Sequence, residues 1–169
     1  VKAFARKYPH SMGEWSPASR THVAHMRGGD FYSSEQSVTL DKATKANIVF
    51  ENKQGKQTVL KADLPLQEGE VLGGMFMSKK ALVKFFEDAI ADCENTGVMF
   101  SLHVKATMMK ISHPIVFGHA VKVFYKDLFD KYGELFDEIG VNPNNGLSSV
   151  VEKIKQLPES KQEQIQEDL

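Results

Sequence analysis

Val98-Met99-Phe100-Ser101-Leu102-His103-Val104-Lys105 alternates without a break. Val98, Phe100, Leu102 and Val104 fall on one side of an extended chain, and Met99, Ser101, His103 and Lys105 on the other. This two-residue period predicts a strand with one apolar face. Just before it, Leu82, Phe85, Phe86, Ala89, Ile90 and Cys93 recur at three- and four-residue spacing, which predicts a helix with one apolar stripe. Ser78 is suited to cap the start of that helix, and Asn95-Thr96-Gly97 to end it, with Gly97 in a left-handed conformation.

Further along, a long helix is predicted after Pro114. Its buried face is marked by Phe117, Val121, Phe124, Leu128, Tyr132, Leu135 and Ile139, with Gly133 as a possible bend. Gly140 ends it, and residues 142–146 read as a turn. Leu147, Val150, Val151, Ile154 and Leu157 predict a third amphipathic helix. Pro158 suits the first turn of a fourth, whose glutamines read as a solvated face. Upstream, 46–51 and 57–61 are strand-like. They flank Asn52-Lys53-Gln54-Gly55, a hairpin signature in which Gly55 takes positive φ. A short strand is expected near 70–75, weakened by Gly73-Gly74. The fold class is therefore α+β: a small mixed or mostly antiparallel sheet packed with three to four helices on one face.

Composition narrows the function. The 169 residues carry 21 Lys+Arg and 22 Asp+Glu, so a nucleic-acid partner, which favours a basic domain, is not expected. No apolar run approaches the roughly 20 residues needed to cross a bilayer, so no membrane partner is expected either. The single cysteine, Cys93, sits on the helical stripe and reads as a buried core residue. It can make no internal disulfide, and a reducing compartment is the simplest reading. Residues 1–36 lack periodicity and hold Pro9, Pro17 and Gly28-Gly29. They are expected to wrap over another surface. Both ends look cut, which predicts a piece of a longer protein.

Candidate chemistry is sparse. His22 and His25, three residues apart, could share a helix face, but no further metal ligands stand at fixed spacing, so hydrogen bonding is the favoured role. Gly28-Gly29-Asp30 lacks both phosphate-loop spacings and reads as a tight turn. The polar face of 98–105 is more informative. Lys105 closes it at its C-terminal end, where ligands often gather in α/β proteins, and a partly desolvated lysine can be tuned toward a base. The competing reading is a solvated sheet face with Lys105 in water, and pattern alone favours it.

One stretch goes further. His103-Val104-Lys105-Ala106-Thr107-Met108-Met109-Lys110, followed by Ser112-His113-Pro114-Ile115 and Phe117-Gly118, resembles the monomeric NADP-dependent isocitrate dehydrogenases of bacteria. Further matching blocks are Trp15-Ser16, His22-Val23-Ala24-His25-Met26, Gly29-Asp30-Phe31-Tyr32, Met77-Ser78-Lys79, Asn144-Asn145-Gly146 and Lys155-Gln156-Leu157-Pro158.

The resemblance implies that 1–169 is part of the substrate-binding domain of a longer enzyme, with 1–36 an irregular wrapping segment and 37–169 an α+β core. That enzyme would oxidatively decarboxylate isocitrate to 2-oxoglutarate in the cytoplasm, within the tricarboxylic acid cycle and the glyoxylate bypass. It would use NADP with Mg or Mn, and its remaining contacts would come from the rest of the same polypeptide. Lys105 is the one residue here to which the resemblance assigns a catalytic and substrate-binding role. No cofactor-binding or metal-binding residue is carried over, and 1–169 alone is expected to bind neither group and to be inactive. His103, on the same face, is given no role. The alternatives are a non-catalytic interaction or structural domain of the same ancestry, and a simple tricarboxylate binder.

Overall fold

The computed structural model describes residues 2–9, 11, 13–104 and 111–169. Two short helices, α1 (Lys2–Lys7) and α2 (Phe31–Ser34), interrupt an N-terminal segment otherwise without regular structure. The tight turn at Gly28-Gly29-Asp30 is present and has a structural task. Gly29 is left-handed (φ 71°), and its carbonyl accepts from the Ser78 amide at 2.7 Å. A Cβ there would lie 3.1 Å from the Cβ atoms of both Ser78 and Ala81. Glycine thus lets the N-terminal segment dock on the start of the next long helix. Asp30 then caps α2 in a reciprocal box with Ser33.

Strands β1 (Gln36–Thr39), β2 (Thr44–Glu51), β3 (Gln57–Leu66) and β4 (Val71–Gly74) follow. β2 and β3 form the predicted hairpin, with Gly55 at φ 78° in its turn. The strand near 70–75 is β4. It pairs antiparallel with β1, from Gln36 opposite Gly74 to Thr39 opposite Val71, a partner the sequence pattern had not marked. The chain therefore goes out through β1, makes the hairpin, and returns through β4.

The class is α+β with antiparallel pairing, as expected, but the strands form two separate ribbons rather than one sheet. Within the hairpin the register of β2 and β3 shifts between Ala46 and Ile48 and again between Ile48 and Val49. Each irregularity turns the following side chains relative to the pleat, so no continuous apolar face survives to lie against helices. Asp63 takes a left-handed backbone (φ 54°) beside the first shift, and its amide donates to Asn47 Oδ1 at 2.9 Å. Leu66 is the one buried strand residue among those described.

The helices carry the core. Helix α3 (Lys79–Thr96) starts and stops as expected. The Ser78 side chain accepts from the Ala81 amide, and Gly97 (φ 67°) returns its own amide to the Cys93 carbonyl at 2.8 Å. Its stripe buries Leu82 and Phe86, whereas Cys93 is only half-buried, contrary to its reading as a core residue. The long helix predicted after Pro114 is two helices, α4 (Ser112–Phe124) and α5 (Lys126–Glu138), and it begins before the proline. The break falls at Tyr125 (φ −105°, ψ 40°), not at Gly133.

The break serves packing. Ala120 of α4 joins Leu82 and Phe86 in one cluster, and Leu128, Tyr132 and Phe136 of α5 join Val141, Val150, Ile154 and Ile165 in another. One straight helix could not aim its stripe at both. Phe124, placed on the stripe by spacing, is more than half exposed beside this break.

Gly140 (φ 72°) ends α5, and a 3-10 turn (Pro143–Asn145) leads into α6 (Leu147–Ile154) and α7 (Glu159–Glu167). Val151 faces solvent on α6, and Ser149 is buried in its place because its hydroxyl accepts from the Asn142 amide at 2.9 Å. In α7 Gln164 and Gln166 are solvated as expected, but Gln162 is half-buried and donates from its side-chain amide to the Leu157 carbonyl at 2.8 Å, and the fully buried Ile165 ties the helix to the second cluster.

The 98–104 stretch lies in no strand, yet it keeps the two-residue period of an extended chain. Its alternation holds in the burial. Val98, Phe100, Leu102 and Val104 are half-buried, and Met99, Ser101 and His103 are exposed. Periodicity reported which side chains face the core. It did not report a partner strand, and none pairs here among the described residues.

Candidate functional site

Lys105, together with the rest of 105–110, lies outside the described residues. The two edges of that stretch are described. On one side stands the extended 98–104 segment, held over α3 by aromatic contacts. The Phe86 and Phe100 rings meet edge to face at 6.4 Å, and Phe100 stacks on Phe124 at 6.4 Å. With Phe100 and Leu102 turned down onto α3, Ser101 and His103 face outward, as predicted.

Beneath and beside this segment is a cavity of about 410 Å³. Its walls are Phe85, Phe86 and Ala89 of α3, Val98 and Phe100 of the extended stretch, and, opposite, residues 21–24. The opposite wall is tethered. His22 Nε2 lies 3.0 Å from Asp92 Oδ2, and His22 Nδ1 lies 2.9 Å from the Arg20 carbonyl. Only an imidazolium, with both nitrogens protonated, can donate to both acceptors. The Arg20 carbonyl first, and then the Asp92 charge, hold the imidazole pKa above its ordinary value. His22 and His25 do not share a helix face, because 21–26 has no regular structure.

The other edge of 105–110 is the start of α4. A smaller recess of about 180 Å³ lies between α3 and α4, with Phe31, Met77, Leu82 and Val116 as apolar walls and Lys79, Ser112 and His119 at its margin. Burial first, and then the charges of Lys79 and Lys122, push the His119 imidazole below its ordinary value. Among the described residues, no carboxylate lines this recess. Sequence reasoning passed over both Lys79 and His119. The one available signal was weak: three basic residues, Lys79, His119 and Lys122, on two neighbouring helices.

Among the described residues, no three His, Cys, Asp or Glu side chains converge in a way that could hold a metal ion. Gly28-Gly29-Asp30 is engaged in docking and capping rather than cradling a phosphate. The described residues therefore hold no ready set of ligands for Mg or Mn. No helix among them is long and apolar enough to cross a membrane.

Residues 1–169 match the family described as monomeric isocitrate dehydrogenase. The chain belongs to that family. It is 63% identical over its whole length to isocitrate dehydrogenase (NADP) 2 of Mycobacterium tuberculosis, 53% to the enzyme of that name from Colwellia maris, and 46% to isocitrate dehydrogenase (NADP) of Azotobacter vinelandii. In each case it spans 23% of the relative's length. Membership in the monomeric isocitrate dehydrogenase family agrees with the resemblance read at 103–118.

Proposed function

We propose that residues 1–169 are a segment of an NADP-dependent isocitrate dehydrogenase working in the cytoplasm, and that Lys105 is their catalytic and substrate-binding contribution. Family membership across all 169 residues carries this reading. Oxidation of a secondary alcohol needs the hydroxyl proton to leave as hydride departs from the carbon. A lysine amine can take that proton, or its charged form can hold the developing alkoxide. An ordinary lysine, with a pKa of about 10.4, is protonated at neutral pH, so the first role requires a depressed value. Residues outside 1–169 would hold NADP and the divalent ion.

The test is Lys105→Met in the full-length enzyme. Turnover should fall by at least about 100-fold, the scale of lost acid–base help, with NADP affinity little changed. Near-normal kcat would reject the assignment.

A further inference from the structure

The 98–104 segment has the form of a strand without a neighbour. It buries every second side chain, the period of an extended chain, and among the described residues no backbone amide from Met99 to Val104 donates to a backbone carbonyl. Residues 21–24 also line the 410 Å³ cavity, make no backbone–backbone hydrogen bond among the described residues, although the Thr21 amide donates to Ser19 Oγ at 3.3 Å, and are fixed by the His22–Asp92 contact. Backbone groups along an extended, half-buried edge recruit another strand, since pairing satisfies a whole row of donors and acceptors at once. Most of the cavity lining is apolar, with Phe85, Phe86, Ala89 and Phe100 beside the polar His22, Asp92 and Ser101, so burial there favours apolar side chains.

We propose that a β-strand from elsewhere in the same molecule, outside residues 1–169, pairs with the 98–104 segment and seats alternate apolar side chains in this cavity. This rests on the reading that the chain is part of a longer enzyme. Two observations select that occupant over a second copy: the chain spans 23% of its relatives' length, and the family is described as monomeric. The strand would brace the segment that leads directly into Lys105.

The test uses the full-length polypeptide. A photo-crosslinking residue replaces Ser101, whose exposed side chain would stand about 5 Å from its neighbour on an added strand. The expected crosslink joins this position to a peptide outside 1–169. In the unsubstituted protein, alternate amides of 99–104 should exchange at least about 100-fold more slowly than that of Lys53 in the exposed hairpin turn. A crosslink within 1–169, a crosslinked dimer, or exchange as fast as at Lys53 overturns the proposal. Turnover measured on the same sample keeps the two readings apart. An active enzyme with unprotected 99–104 amides sinks the strand and spares the function. An inactive one with protected amides does the reverse.

Discussion

Gly118 in α4 lies so close to Asn144 that a Cβ on it would sit 2.0 Å from Asn144 Oδ1 and 3.0 Å from the Asn144 backbone nitrogen. The 3-10 turn rests directly on the helix at this point, and the Asn142 side chain, accepting from the Asn144 amide at 3.0 Å, holds the turn in shape. Gly118→Ala should therefore destabilise the fold by about 1–3 kcal/mol, despite alanine's better helix propensity, because backbone as well as side chain must move. Removing the Asn144 side chain in the same background should recover only part of the loss. Urea denaturation of both variants checks this.

Ile165 anchors α7. Truncation to alanine should cost about 2–5 kcal/mol, as for other fully buried aliphatic side chains. Val151→Ala, on the exposed face of α6, should stay within about 0.5 kcal/mol. Equal effects at the two sites would contradict the packing of the second cluster. Thermal melts are sufficient to distinguish them.

His22 sets a pH dependence. Its pKa is raised in the folded chain by the Arg20 carbonyl and Asp92, so its stabilising effect is complete below the ordinary imidazole value of about 6.5 and fades as pH rises through the folded one. An NMR titration should place the imidazole above the ordinary value. Asp92→Asn should bring it part of the way back, leaving the Arg20 contribution.

Asp168 works in the opposite direction. Lys131 at 2.6 Å and the Tyr132 hydroxyl hold its carboxyl below the usual range. Its contribution is present above the ordinary carboxylate value and is lost as pH falls through the depressed one. Asp168→Asn should flatten the acid side of the stability profile and leave the neutral region's slope unchanged.

Helix termini were legible because capping is local chemistry: Ser78, Gly97, Gly140 and Pro158 each act within a few residues of where they stand. The hairpin was legible for the same reason. What periodicity could not reveal was how elements pair. It marked 98–104 as one-sided but not as partnerless, and it missed the β1–β4 ladder, whose strands lie more than thirty residues apart. Tyr125 escaped notice because the break answers to two separate clusters rather than to any local signal. At the site, His22 was marked but Asp92 was not, since the pair joins an irregular segment to a distant helix. The role proposed for Lys105 rests on likeness to a family, not on pattern.

The β2–β3 hairpin leaves Val49, Phe50, Val59 and Leu60 open to water, with Lys45, Lys53, Lys56 and Lys61 interspersed. A nascent chain that has extruded this hairpin exposes apolar surface of the kind that chaperones shield from aggregation. Production of the protein in cells should therefore depend on chaperone supply until these side chains are covered.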